Sequence, residues 1–117
     1  MRSEGPAGPR SWTRALALLF AVALALRIAA AAALGLATPP EPGSDPHEYD
    51  VYAWNLVEGR GYRGLSPDVS NQDHLTAYRP PFPSILWAGL YGLFGHRYEV
   101  VRLANCTLGA ASVLLLF

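Results

Sequence analysis

"ALALLFAVALALRIAAAAALGLA", Ala15 to Ala37, decides the fold class. Apart from Arg27 it is apolar from end to end. At about 1.5 Å of rise per residue, a helix of this length crosses the roughly 30 Å hydrocarbon layer of a membrane. Alanine and leucine favour helix, and Pro39-Pro40 are expected to stop it. The expectation is a transmembrane helix over 15–37. A cleaved signal peptide is the rival, with its apolar part at Ala15 to Leu26 and an A-x-A option at Ala31 to Ala33. Arg27 counts against that rival, because signal peptides seldom carry a charge between the apolar part and the cleavage site. Near the outer end of a retained helix, Arg27 either snorkels outward or faces a polar cavity.

Charge orients the helix. Arg2, Arg10 and Arg14 precede it with only Glu4 against them, whereas the stretch from Glu41 to Asp73 is mostly acidic. By the positive-inside rule the N-terminus is cytoplasmic and the acidic stretch extracytoplasmic. Residues 1–14, rich in glycine and proline at the start, read as a disordered cytoplasmic tail.

The rest of the composition excludes more than it assigns. With 117 residues and a formal net charge of zero, the chain is about one small domain with no electrostatic reason to bind nucleic acid. All 9 basic residues are arginine, so a lysine Schiff base is excluded. Cys106 is the only cysteine, which excludes an internal disulfide and a thiolate zinc cluster. In its apolar run it reads as a small packing residue.

Residues 38–98 read as a first external loop. Within it Asp45-Pro46-x-Glu48 is a helix start: Asp45 as N-cap, Pro46 at the first position, Glu48 closing a capping box. Tyr49, Tyr52, Ala53 and Leu56 then make one apolar-aromatic stripe, and Gly59 ends the helix. This helix, about 46–58, is too short and too polar to span. It is expected along the outer membrane surface with its tyrosines among the headgroups. Arg63 to Ala77 reads as a loop. "YRPPFP", Tyr78 to Pro83, is stiff and extended. A second interfacial or re-entrant helix follows at about 84–95. Residues 99–117 read as a second, truncated spanning helix, so the chain is expected to be the N-terminal fragment of a larger polytopic protein.

Several constellations have plain explanations. Glu48 is accounted for by the capping box and Asp50 as a solvated helix residue, which leaves no convincing glycosidase-like carboxylate pair with Asp45. His47 and His74 match no standard metal-ligand spacing, so no metal and no other cofactor is expected. Asn105-Cys106-Thr107 matches a glycosylation sequon but lies in an apolar span. Arg79, beside a rigid Pro-Pro pair, is either an interfacial anchor or a phosphate ligand, since the guanidinium fork suits phosphate oxygens. Arg97 and Arg102 either bind lipid headgroups or mark the membrane boundary. Asp45 combines a capping role with the properties of a general base, because a helix N-terminus favours the ionised carboxylate.

Taken in order, the arginine near the outer end of the first helix, S-D-x-x-x-Y-D-x-x-A-x-N-L-x-x-G-x-G-Y from Ser44 to Tyr62, the aromatic-R-P-P segment, L-F-G-H and V-x-R-L-x-N carry a resemblance. From about Ala15 onward the chain resembles the N-terminus of bacterial membrane glycosyltransferases of the GT-C fold. The nearest likeness is to the family-39-like group of protein O-mannosyltransferases and lipid A aminoarabinose transferases. The resemblance implies an all-α integral membrane protein, the N-terminal part of a polytopic GT-C helical bundle in the plasma membrane. It implies transfer of a sugar from a polyprenyl-phosphate carrier to a hydroxyl of a glycan, lipid or protein, with inversion and on the extracytoplasmic side.

It also implies roles. Asp45, four residues before Tyr49 and eight before Ala53, matches the family's catalytic base. Arg79 matches the basic residue expected on the carrier phosphate. Tyr49, Glu48 and Arg102 are further candidates on the substrate side. Two departures stand out: Pro46 replaces a second acid that many relatives place there, and Pro80-Pro81-Phe82-Pro83 is one residue shorter than usual. The alternatives are a small non-catalytic membrane subunit or anchor, and a secreted module with a cleaved signal.

Overall fold

A computed structural model describes residues 9–64 and 79–116. These residues are all-helical: α1 (Pro9–Ala33), α2 (Asp45–Val57), α3 (Pro81–Phe94) and α4 (Tyr98–Leu114). They belong to two compact units. One holds α1 and the body of α4 from Arg102 onward; the other runs from Ala37 to Val101 and holds α2, α3 and the start of α4.

α1 is long and apolar enough to cross a membrane, and it is the one described helix that is. None of its residues is buried. Leu18, Val22 and Leu26 stand exposed along it. A helix hydrophobic all round that covers nothing in its own protein is suited to lipid. Its limits differ from the sequence reading at both ends. It already includes Pro9 to Arg14, inside the expected tail. It ends at Ala33, before the prolines, where Gly35 takes a positive φ of 88° and its N–H turns back to the Ala32 carbonyl. Residues 1–8 of the expected tail lie outside the described residues.

α2 also starts differently. Ser44, not Asp45, is the N-cap: its hydroxyl accepts the His47 N–H at 3.4 Å. Asp45 is therefore the first helical residue, Pro46 stands in the first turn, and the capping box is not made. The tyrosine stripe is not spread on a membrane surface. Tyr52 and Ala53 are fully buried, and α2 packs along α3. Tyr49 meets Trp87 edge to face at 6.1 Å. The core is Ala53, Tyr91 and Val101, flanked by Trp54, Trp87, Ala88 and Leu90.

α3 begins at Pro81 rather than after the prolines, since Pro81 and Pro83 occupy first-turn positions that have no intrahelical N–H partner to lose. Its polarity is inverted. It buries Ser84 and Tyr91, and it exposes Phe82, Ile85, Leu93 and Phe94. α4 ends at Leu114, so its 17 residues rise roughly 26 Å, short of a full crossing.

After α2, Gly59 and Gly61 turn the chain at positive φ, and Asn55 donates to the Arg63 carbonyl at 2.8 Å. This brings Tyr62 onto Tyr52, with ring centroids 4.4 Å apart, and lays Gly64 against the Tyr52 ring. A Cβ at Gly64 would stand 2.1 Å from that ring. Gly64→Ala should therefore lower stability by about 1–3 kcal/mol, as overpacking does. Denaturant unfolding of the detergent-solubilised protein, followed by tryptophan fluorescence, would show it; an unchanged midpoint would contradict this packing.

Candidate functional site

Arg79 is 34 residues from Asp45 and 31 from Glu48 in sequence, yet the fold brings the three together. The Arg79 Nη2 donates to Asp45 Oδ1 at 2.6 Å, and Nε donates to Glu48 Oε2 at 2.5 Å. One guanidinium thus bridges two carboxylates one helical turn apart. The pair is unequal in its exposure to water: the Asp45 side chain is 67% exposed, that of Glu48 15%. Water weakens the outer bond far more than the inner one. Glu48, read from sequence as a capping residue, is an ion-pair partner instead, free to be so because Ser44 does the capping.

The backbone of Arg79 is held as well. Tyr62 donates its hydroxyl to the carbonyls of Arg79 at 2.9 Å and Pro80 at 3.2 Å. Burial pushes the Tyr62 phenol above its ordinary value; Tyr52 and Tyr49 add to the rise and a hydrogen bond with Ser84 opposes it. At neutral pH it is accordingly a donor. Ser84, in the first turn of α3, donates to the Tyr49 carbonyl at 3.3 Å. The G-x-G-Y sequence therefore has a task that its spacing did not disclose: it swings Tyr62 round to fix the entry of Arg79 and α3.

Tyr49, a candidate on the substrate side, is engaged within the fold. Its ring packs on Trp87 and its carbonyl serves Ser84. Arg102 is also committed. Its Nη1 donates to the carbonyls of Gly35 at 2.6 Å and Leu36 at 2.5 Å, which are left over from the end of α1. Arg97 pairs with Glu99 on the surface. His47 joins no metal-ligand cluster, and among the described residues there is none; His74 lies outside them.

The largest departure is Asp50. Instead of facing solvent it is 6% exposed, between α2 and α3. Tyr91 donates to its Oδ1 at 2.5 Å, and the His96 Nε2 lies 2.8 Å from the same oxygen. Trp54 stacks on His96 at 4.3 Å and an interplanar angle of 10°, while Tyr91 and Tyr98 meet the imidazole edge to face. A signal for this was present: Asp50 shares a helix face with Ala53 and Trp54, three and four residues on.

Removing one partner of a buried charge leaves the other stranded. Asp50→Ala, which leaves the Tyr91 hydroxyl without its acceptor, and Tyr91→Phe should each cost about 1–3 kcal/mol. The Asp50→Asn and Tyr91→Phe pair, measured singly and together by denaturant unfolding, should be non-additive. Strict additivity would mean that the two side chains do not interact.

Comparison with known proteins found no match to this chain, whether among family models, curated proteins or solved structures.

Proposed function

We propose that the chain is the N-terminal part of a polytopic membrane glycosyltransferase of the GT-C kind, with α1 as a spanning helix, α4 as part of a second span, and a first external loop between them. It would lie in the plasma membrane with its N-terminus cytoplasmic. The observation that supports this reading most is the Arg79 bridge to Asp45 and Glu48. It unites the two residues that the sequence resemblance nominates as base and phosphate ligand. The inverted polarity of α3, apolar outside and polar inside, is consistent with a loop that lies against lipid.

The chemistry follows from the bridge. Phosphate oxygens suit the guanidinium fork better than two separate carboxylates do. A polyprenyl-phosphate sugar that draws the Nη2 of Arg79 to its phosphate removes a donor from Asp45 Oδ1. That oxygen is then available for the proton of an acceptor hydroxyl. The acceptor oxygen attacks the anomeric carbon and the bond from that carbon to the phosphate oxygen breaks. The phosphate leaves with the electron pair, its charge met by Arg79. A single displacement inverts the anomeric centre. Tyr62 and Ser84 act earlier, by holding the Arg79 backbone and α3 against α2.

The test uses the protein expressed from its complete gene, with radiolabelled polyprenyl-phosphate hexoses and pentoses as donors. Asp45→Asn should lower transfer by about 10²–10⁴-fold while membrane insertion is unchanged. Arg79→Lys keeps the charge but loses the fork, and should raise KM for the donor about tenfold. Full transfer by Asp45→Asn would remove Asp45 from the mechanism.

A further inference from the structure

We infer that His96 is a proton-accepting site of the 37–101 unit, with Asp50 as the residue that positions it. Asp50 Oδ1 accepts the Tyr91 hydroxyl at 2.5 Å and lies 2.8 Å from His96 Nε2. A carboxylate has no hydrogen to give, so the hydrogen between Asp50 and His96 belongs to Nε2. A neutral imidazole carries one N–H only, which leaves Nδ1 with its lone pair.

That lone pair is unused within the fold. Among the described residues Nδ1 has no hydrogen-bond partner. The His96 side chain is 27% exposed and that of Asp50 8%. The acid thus stands behind, and the imidazole is within reach of water. The ring is also clamped. Trp54 lies on its face at 4.3 Å, and Tyr91 and Tyr98 meet it edge to face at 4.6 and 5.2 Å. These rings come from α2, α3 and the start of α4, all within the one unit.

A buried carboxylate that holds one imidazole nitrogen as a donor makes the other a base. It fixes the tautomer and stabilises the positive charge that the ring gains with a proton. The group that such a nitrogen takes is a hydroxyl, whose proton it accepts. A metal ion fits less well, because the described residues hold no group of three side chains able to bind one. An anion fits worse, because the Asp50 charge lies directly behind the ring. The site is separate from the Arg79 bridge: Asp45 and Asp50 are five residues apart on α2, about 140° around the helix. The inference does not rest on sugar transfer.

The experiment uses the protein expressed from its complete gene, with histidine labelled in nitrogen-15, in mildly alkaline buffer. Nitrogen NMR reads which ring nitrogen carries the hydrogen, and His96→Gln identifies the signals. Diethyl pyrocarbonate is the chemical probe. It bonds to an unprotonated imidazole nitrogen with loss of ethyl carbonate, so its rate reports the same lone pair that would take a hydroxyl proton. Mass spectrometry follows His96, with His47 as the internal reference. In the wild type Nε2 should carry the hydrogen and His96 should be acylated. Asp50→Asn, whose amide can either give or accept a hydrogen, should move both nitrogen signals toward intermediate positions. It should also slow acylation of His96 about tenfold relative to His47. Tyr91→Phe keeps the Asp50 bond and should leave the tautomer unchanged. A hydrogen on Nδ1 in the wild type, or no acylation there at His96, would overturn the inference without need of a variant. An unchanged tautomer and rate in Asp50→Asn would remove Asp50 as the positioning residue. So would an equal shift in Tyr91→Phe, which would trace the effect to loosened packing.

Discussion

A carboxylate removed from water must find its partners in the protein, and in the 37–101 unit that carboxylate is Asp50. It is buried at 6% exposure and touches Tyr91 of α3 and His96 of the turn before α4. Three segments therefore meet at one oxygen atom. A slip of α2 along α3 by a single turn would move Asp50 about 5 Å, away from both partners. The desolvation cost of the charge would then stand unopposed. Apolar contacts among Ala53, Tyr91 and Val101 supply attraction but tolerate shifts; the Asp50 bonds do not. Because this lock sits two residues past Glu48 on the same helix, it also fixes where the start of α2 presents Asp45 and Glu48 to Arg79.

The helices were legible in the sequence for reasons that are local. Alanine and leucine over Ala15–Ala37, the Ser-Asp-Pro start of α2 and the glycines after α2 and α3 each act within a few residues. The errors were local too, and come from near-equivalent signals. Ser44 and Asp45 are both good caps, and the hydroxyl won, which left the carboxylate free. Gly35 stopped α1 before Pro39 could. Pro81 opened α3 because a first turn has no N–H partner to lose.

The site was legible only in part, and the boundary is again physical. Asp45 and Arg79 were marked by spacing and by a resemblance. Their bond, and the transfer of Glu48 from cap to ion pair, depend on a contact across 31 and 34 residues that no periodicity reports. Asp50 and His96 are 46 residues apart. A mid-helix aspartate has a solvated face as its ordinary reading, and only the company of Ala53 and Trp54 on its own face argued against that. Arg102 was read either as a headgroup ligand or as a marker of the membrane boundary, because arginines near spanning helices often are one or the other. Its bonds to Gly35 and Leu36 exist because α1 ends early and leaves carbonyls to be satisfied.

The unequal exposure of the two acids around Arg79 gives the proposed chemistry an order of events. Two carboxylates and one guanidinium leave the cluster net negative, which opposes the approach of a phosphate. The opposition eases only if Arg79 gives up one acid. The Asp45 bond is the outer one, and ion pairs so open to water contribute about 0–1 kcal/mol. The Glu48 bond is shielded and holds. In the proposed chemistry Arg79 would pivot on Nε, retained by Glu48, and swing Nη2 outward to the phosphate. The carboxylate released is that of Asp45, at the exposed edge where an acceptor would arrive. Glu48 supplies the hinge, which accounts for an acid at that position when Pro46 stands where many relatives of the resembled family place theirs. On this reading the base becomes available only once the donor phosphate has taken the arginine, so the acceptor is deprotonated with the leaving group already in place.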